Sequence, residues 1–246
     1  MPLKEEFEAT GNWLFRRRSW LPLILYIFAL VVMLFYPEIT HPRISNQNWG
    51  LFCLGLSLFG LLIRAITVGY TPRGTSGRNT EKQVAETLNR TGIYSVVRHP
   101  LYLGNLLMWL GLFLYIGPWW FVAICSLAYW LYYERIMYAE EEFLRKTYGA
   151  EYENWASRTP AFLPRLTGWI STTTTFSFKN VMKREYNGFF ALLFSFAALN
   201  AISYFIAERR FEMDPHWQLI LLIGAGIFIL LRFLRKSTKT LDEPGR

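Results

Sequence analysis

"RHPLYLGNLLMWLGLFLYIGPWWFVAICSLAYWLYYERIMYAEEE", residues 98–142, begins on Arg98 and His99, stays apolar from Leu101 to Tyr133 apart from one break, and closes on Glu140, Glu141 and Glu142. The break is Gly117-Pro118, a turn signal, and Trp119 and Trp120 follow it as side chains suited to a membrane interface. Each apolar run approaches the roughly 20 residues that a spanning helix needs. Two such helices on so short a link make a hairpin. Its ends, Arg98-His99 at the start and Glu134 to Glu142 at the finish, therefore meet on one side of the bilayer.

The rest of the chain agrees with a bilayer as solvent. Of 246 residues, 52% are hydrophobic and 18% aromatic, with a mean hydropathy of +0.18, too apolar for an ordinary soluble domain. Apolar runs at 20–36, 50–70, 101–117, 118–133, 188–206 and 217–231 predict an all-α, polytopic transmembrane helical bundle of about six spans. Segments 1–19, 71–99, 134–187 and 232–246 hold 22 of the 26 Lys and Arg residues, loops 37–49 and 207–216 hold 3, and Arg64 lies within a span. Cytoplasmic connections carry such an excess, so both termini face the cytoplasm. The net charge of +8 then follows from topology and not from a nucleic-acid partner. The first run follows Arg16, Arg17 and Arg18 as a signal peptide's would, but "MLFYPEITHP" offers no small-residue cleavage site, which reads as an uncleaved anchor.

Cys53 and Cys125 stand in separate apolar runs and suggest neither a disulfide nor a metal site, and His41, His99 and His216 are too scattered to form a zinc ligand set. Residues 4–13 predict a short interfacial helix with Trp13 and Trp20 at headgroup depth. The connection "TPRGTSGRNTEKQVAETLNRTG" is turn-rich, then helix-compatible from Glu81 to Leu88; its "GTSGR", 74–78, lacks the ending of a phosphate loop. "STTTT", 171–175, reads as a linker, and Gly224 and Gly226 suit close helix packing.

Pro100 fits the first position of a helix, leaving His99 as its cap and Arg98 beside a helix start that attracts anions. Taken alone, Arg98 reads as a snorkelling side chain and the three glutamates as a solvated helix face. The hairpin brings the two together and makes a pocket with an anion site, carboxylates opposite, and Tyr138, Tyr148, Tyr152 and Trp155 between. Arg64, six residues from the end of its span, either snorkels to the cytoplasmic surface, the favoured reading, or points inward toward an anionic substrate head.

The string Gly92-x-Tyr94-x3-Arg98-His99-Pro100-x-Tyr102-x-Gly104, followed after one helical hairpin by Glu140-Glu141-x2-Leu144-x3-Tyr148-Gly149-x2-Tyr152-x2-Trp155 and then Pro160 and Pro164, resembles the integral-membrane methyltransferases, among them isoprenylcysteine carboxyl methyltransferases and phospholipid methyltransferases. The resemblance implies S-adenosylmethionine bound in a cytoplasmic cofactor pocket at the helix ends and a lipid or lipid-linked acceptor arriving from the bilayer: a lipid phosphate, a phospholipid amine or an isoprenylcysteine carboxylate. By match to the motif, Tyr94, Arg98, His99, Pro100, Tyr102, Gly104, Glu140 and Glu141 become the cofactor-binding candidates. Arg98, His99 and Glu141 are also the catalytic candidates, joined by Arg158 of "SRTP" for substrate charge. No metal is implied. The membrane is expected to be a bacterial inner membrane or one of endoplasmic-reticulum type.

Three segments follow: 1–91 with the first spans and a cytoplasmic loop, 92–165 with the motif block, and 166–246 with a linker and two further spans that either shape a lipid site or complete the bundle. The competing reading is a sterol-reductase-like, NADPH-dependent membrane oxidoreductase, which shares the histidine-proline-tyrosine helix start. Such reductases carry Arg-Asp-Glu where this chain has Ala139-Glu140-Glu141, which favours the methyltransferase.

Overall fold

A computed structural model describes residues 2–72, 83 and 85–243. It is all-helical: no β-strand occurs among the described residues, only an isolated antiparallel bridge between Gly92 and Ile170. Helix α1 (Leu3–Arg17) is followed at a 75° bend by a 3-10 turn and α2 (Ile24–Phe35), and α3 (Pro37–Ile44) leads into α4 (Gln47–Tyr70). The hairpin is α5 (Pro100–Ile116) and α6 (Trp119–Tyr148), linked by Gly117-Pro118 alone. After α7 (Ala150–Ala156) and an irregular stretch that includes 171–175 come α8 (Phe178–Glu208) and α9 (Pro215–Ser237).

Local chemistry fixes these limits. Asn46 caps α4 by accepting from Trp49 N at 2.9 Å, and Ser177 caps α8 by accepting from Asn180 N at 3.0 Å. Proline occupies the first turn of α3, α5 and α9. Helix α6 stops at Gly149, whose φ of 52° and ψ of −126° are open to glycine alone. The expected helix over Glu81–Leu88 does not form at 85–88, which run as bends and coil; Glu81, Lys82, Val84 and the 74–78 stretch lie outside the described residues. There the Ala85 carbonyl accepts from the Tyr148 hydroxyl at 2.8 Å.

Among the described residues three helices, α4, α8 and α9, are long and apolar enough to cross a membrane, or up to four if α1 and α2 form one bent span. The expected six therefore divide by length as well as by hydropathy. Helix α5 has 17 residues, about 25 Å at 1.5 Å per residue, and α6 has 30 but carries its charges from Glu134 onward. On α9 the outward Leu219, Leu222, Ile223 and Leu230 remain exposed, as lipid-facing side chains are.

Helices α4 and α5 pack at backbone contact: a Cβ on Gly104 would lie 2.6 Å from Gly60 O and 2.7 Å from Arg64 Cγ. Gly224 likewise admits Leu193, but Gly226 faces open space and takes no part in packing. The main core collects Tyr115, Phe196 and Trp217 with α2 and α3 residues such as Met33 and Ile44. A second cluster, Phe15, Tyr102, Tyr129, Tyr133, Ile136, Met137 and Phe162, lies under the end of the hairpin where the charged residues gather.

Candidate active site

The hairpin delivers its two ends to one place. His99, only 7% exposed, donates from Nε2 to Glu141 Oε1 at 2.9 Å, and its Nδ1 lies 3.7 Å from Glu140 Oε2. Arg98 places Nε 3.1 Å from the same Glu141 oxygen and donates from Nη1 to Ala156 O at 3.0 Å. Tyr102, one turn into α5, donates to Glu140 Oε1 at 2.6 Å and stacks on the His99 ring at 5.8 Å. Charge-assisted hydrogen bonds of this kind are short and strong.

The motif backbone is held by the chain beyond α7. Arg98 N and His99 N donate to Pro160 O and Ala161 O at 2.9 and 3.1 Å, Arg165 N donates to Val96 O at 2.9 Å, and Gly92 N donates to Ile170 O at 2.8 Å. Trp155 Nε1 donates to Tyr94 O at 3.0 Å, and Tyr148 OH to Ala85 O at 2.8 Å. The aromatic and proline positions of the motif thus work as clamps on the Arg-His turn. His99 sits at the N-cap of α5, but its side chain makes no capping bond, because the ring is turned to the two glutamates instead.

The three consecutive glutamates diverge. Glu140 faces Tyr102 and Arg18, whose Nη1 is 3.6 Å away; Glu141 faces Arg98 and His99; Glu142 is buried and paired with Arg145 and, at 3.0 Å, with Lys4 of α1. Glu134 is exposed. Among the expected site residues, Arg98, His99, Tyr102, Glu140 and Glu141 come together in direct contact, whereas Tyr94 is tied in through its carbonyl, which accepts from Trp155 Nε1. Pro100 starts α5, and Gly104 is turned to Gly60 and Arg64 of α4. Arg158 is exposed on the turn after α7, and its side chain makes no hydrogen bond or ion pair among the described residues.

Sequence reasoning missed Arg18, which reads as one more topology-setting cation until α1 folds back along α6. It also favoured snorkelling for Arg64, whereas the guanidinium is paired with Glu185 of α8. No local signal announces either partner.

Electrostatics set the protonation of the cluster. Burial pushes the Glu141 carboxyl upward, but the His99 hydrogen bond with the His99 and Arg98 charges outweighs it and holds the group below its ordinary value. Burial, then the Glu141 charge, raises the Tyr152 phenol. Arg98 Nε and Tyr152 OH are buried beside Glu141 without a well-aligned hydrogen bond, Arg98 Nε being held there as an ion pair at 3.1 Å. Among the described residues, no group of three or more His, Cys, Asp or Glu is placed to hold a metal.

This arrangement has counterparts. The phospholipid methyltransferase family model matches residues 49–151, from α4 through the start of α7. The cobalt-zinc-cadmium resistance protein CzcN of Cupriavidus metallidurans is 32% identical over 68% of this chain and 72% of its own length. The nickel-cobalt-cadmium resistance protein NccN of Alcaligenes xylosoxydans xylosoxydans is 36% identical over 40% of this chain and 44% of its own. The protein-S-isoprenylcysteine O-methyltransferase of Schizosaccharomyces pombe is 28% identical over 47% of each chain. No solved structure matches significantly. The chain belongs to the integral-membrane methyltransferase superfamily.

Proposed function

We propose that this protein transfers a methyl group from S-adenosylmethionine to a lipid or lipidated acceptor at the cytoplasmic membrane surface. The observation that carries the reading is the contact of His99 and Arg98 with Glu141, which joins the two ends of an apolar hairpin in one buried, charged cluster. The donor set fits the cofactor's groups. Carboxylates accept from an ammonium or ribose hydroxyls, a guanidinium and a helix start suit a carboxylate, and tyrosine rings favour a cation. Arg98 Nε, 3.1 Å from Glu141 but without a well-aligned hydrogen bond, and the buried Tyr152 OH are polar atoms that such a ligand would engage. S-adenosylmethionine bound there supplies an activated methyl group.

The chain's own work is alignment and charge. Glu140, held by Tyr102 and Arg18, and Glu141, held by Arg98 and His99, keep fixed positions before any ligand binds. Such pre-organisation supplies much of the catalysis of an in-line displacement. A carboxylate or phosphate acceptor needs no base; an amine must lose a proton, and His99 is placed to hold it. Arg158, with its side chain free of described partners, is the candidate for an anionic acceptor group. The accompanying topology has six crossings, with α5 and α6 traversing as a hairpin, both termini cytoplasmic and the pocket on that side.

Purified protein in lipid nanodiscs, given methyl-labelled S-adenosylmethionine and a total lipid extract, is expected to bind the cofactor and move label into one lipid fraction. Absence of cofactor binding by folded protein would refute the reading, and stabilisation by NADPH alone would transfer it to the reductases.

A further inference from the structure

Arg64 interrupts the apolar run of α4, and each of its three guanidinium nitrogens is engaged. Nε and Nη2 lie 2.9 Å from the two oxygens of Glu185 on α8, and Nη1 donates to Asn105 Oδ1 on α5 at 2.7 Å. This is a planar two-pronged pairing with a third contact, the geometry that arginine and not lysine provides. The side chains are only 23% and 8% exposed. An ion pair so placed adds little net stability, because desolvation offsets its attraction and apolar residues of similar volume usually serve as well. Its value lies in fixing geometry.

What it fixes is the start of α5. The Arg64 stem crosses Gly104, the neighbour of Asn105. Asn105 stands three residues, about one turn, beyond Tyr102 on α5, and Tyr102 packs its ring 4.9 Å from that of Tyr133 and donates to Glu140. Side-chain contacts from α8, which lies outside the family match, thus reach α5 through Arg64, and the first turns of α5 carry them to the carboxylate of the candidate site.

We propose that Glu185, Arg64 and Asn105 form a positioning device by which α8 sets the rotation of the first two turns of α5, and with it the placement of Tyr102 and Glu140. Helix α8 is then part of the site's machinery as well as of the bundle. Only the activity arm of the test rests on the methyltransferase reading.

The test compares Glu185→Gln and Asn105→Ala with Leu193→Ala, a buried α8 position packed on Gly224 and remote from the site. Amide hydrogen exchange without ligand is read at residues 101–106, and methyl transfer from labelled S-adenosylmethionine is read per folded molecule. Glu185→Gln should speed exchange at 101–106 about tenfold and lower transfer at least about tenfold through kcat more than KM, because a displacement of about 1 Å suffices for losses of that size or larger. Asn105→Ala, which spares the ion pair, should do the same, and Leu193→Ala should do neither. Exchange at 101–106 as slow in both variants as in wild type overturns the proposal, as does an equal effect of Leu193→Ala. Faster exchange in a protein whose wild type transfers no methyl group upholds the positioning device and defeats the methyltransferase reading instead.

Discussion

Glu141→Gln isolates the charge at the centre of the candidate site. The amide has the shape of the carboxylate and its oxygen still accepts from His99 Nε2, 2.9 Å away, so the hairpin should remain folded. What disappears is the negative charge that faces Arg98 Nε at 3.1 Å and that a bound ammonium or hydroxyl would meet. A hydrogen bond to a charged group contributes about 1.5–3 kcal/mol, and the Glu141 side chain is 19% exposed, sheltered enough for that range to apply. At about 1.4 kcal/mol per tenfold, affinity for S-adenosylmethionine should fall roughly 10- to 150-fold. Equilibrium binding of labelled cofactor to protein in nanodiscs measures this, with a melting curve on the same sample to show that the variant is folded. Affinity within twofold of wild type would refute the assignment of Glu141 to the cofactor site.

Acid should act on the same group. Because the folded-state value of Glu141 lies below its ordinary 4.5, its contribution to stability is present above that pH and lost as pH falls through the lowered value; the melting difference between wild type and Glu141→Gln should therefore hold near neutrality and close in acid. Gly104→Ala should destabilise by about 1–3 kcal/mol, since its Cβ meets Gly60 O and Arg64 Cγ, whereas Gly226→Ala, facing open space, should be neutral or add up to about 1 kcal/mol, both read from melting temperatures. Glu142→Ala should cost about 1–3 kcal/mol and loosen α1, the low figure reflecting the exposure of Lys4 and Arg145; limited proteolysis near residues 3–17 checks it, and unchanged protection of α1 would count against the ion pair's role.

The fold and part of the site were legible in the sequence because their determinants are local. Apolar runs, a Gly-Pro link and a proline at a helix start specify α5 and α6 without reference to anything else, and a hairpin that short must bring Arg98 and His99 back beside the glutamates. The number of crossings was less legible: among the described residues α4, α8 and α9 have the length and hydropathy of a span by themselves, whereas α2 reaches it only with α1 across a 75° bend.

The tertiary structure decided which partner each charge found. Successive residues of a helix point about 100° apart, so Glu140, Glu141 and Glu142 cannot share a role, yet their order in the chain does not say which of them faces the cluster. That depends on where α1 and α5 lie against α6: Arg18 of the α1–α2 bend takes Glu140, His99 takes Glu141, and Lys4 takes Glu142. Arg64 is the plainest instance. Its charge was visible in α4, but Glu185 lies 121 positions further along the chain, and only the packing of α8 against α4 makes them neighbours. Local pattern determines which helices form and which ends meet; the pairing of buried charges is a property of helices brought together from distant parts of the chain.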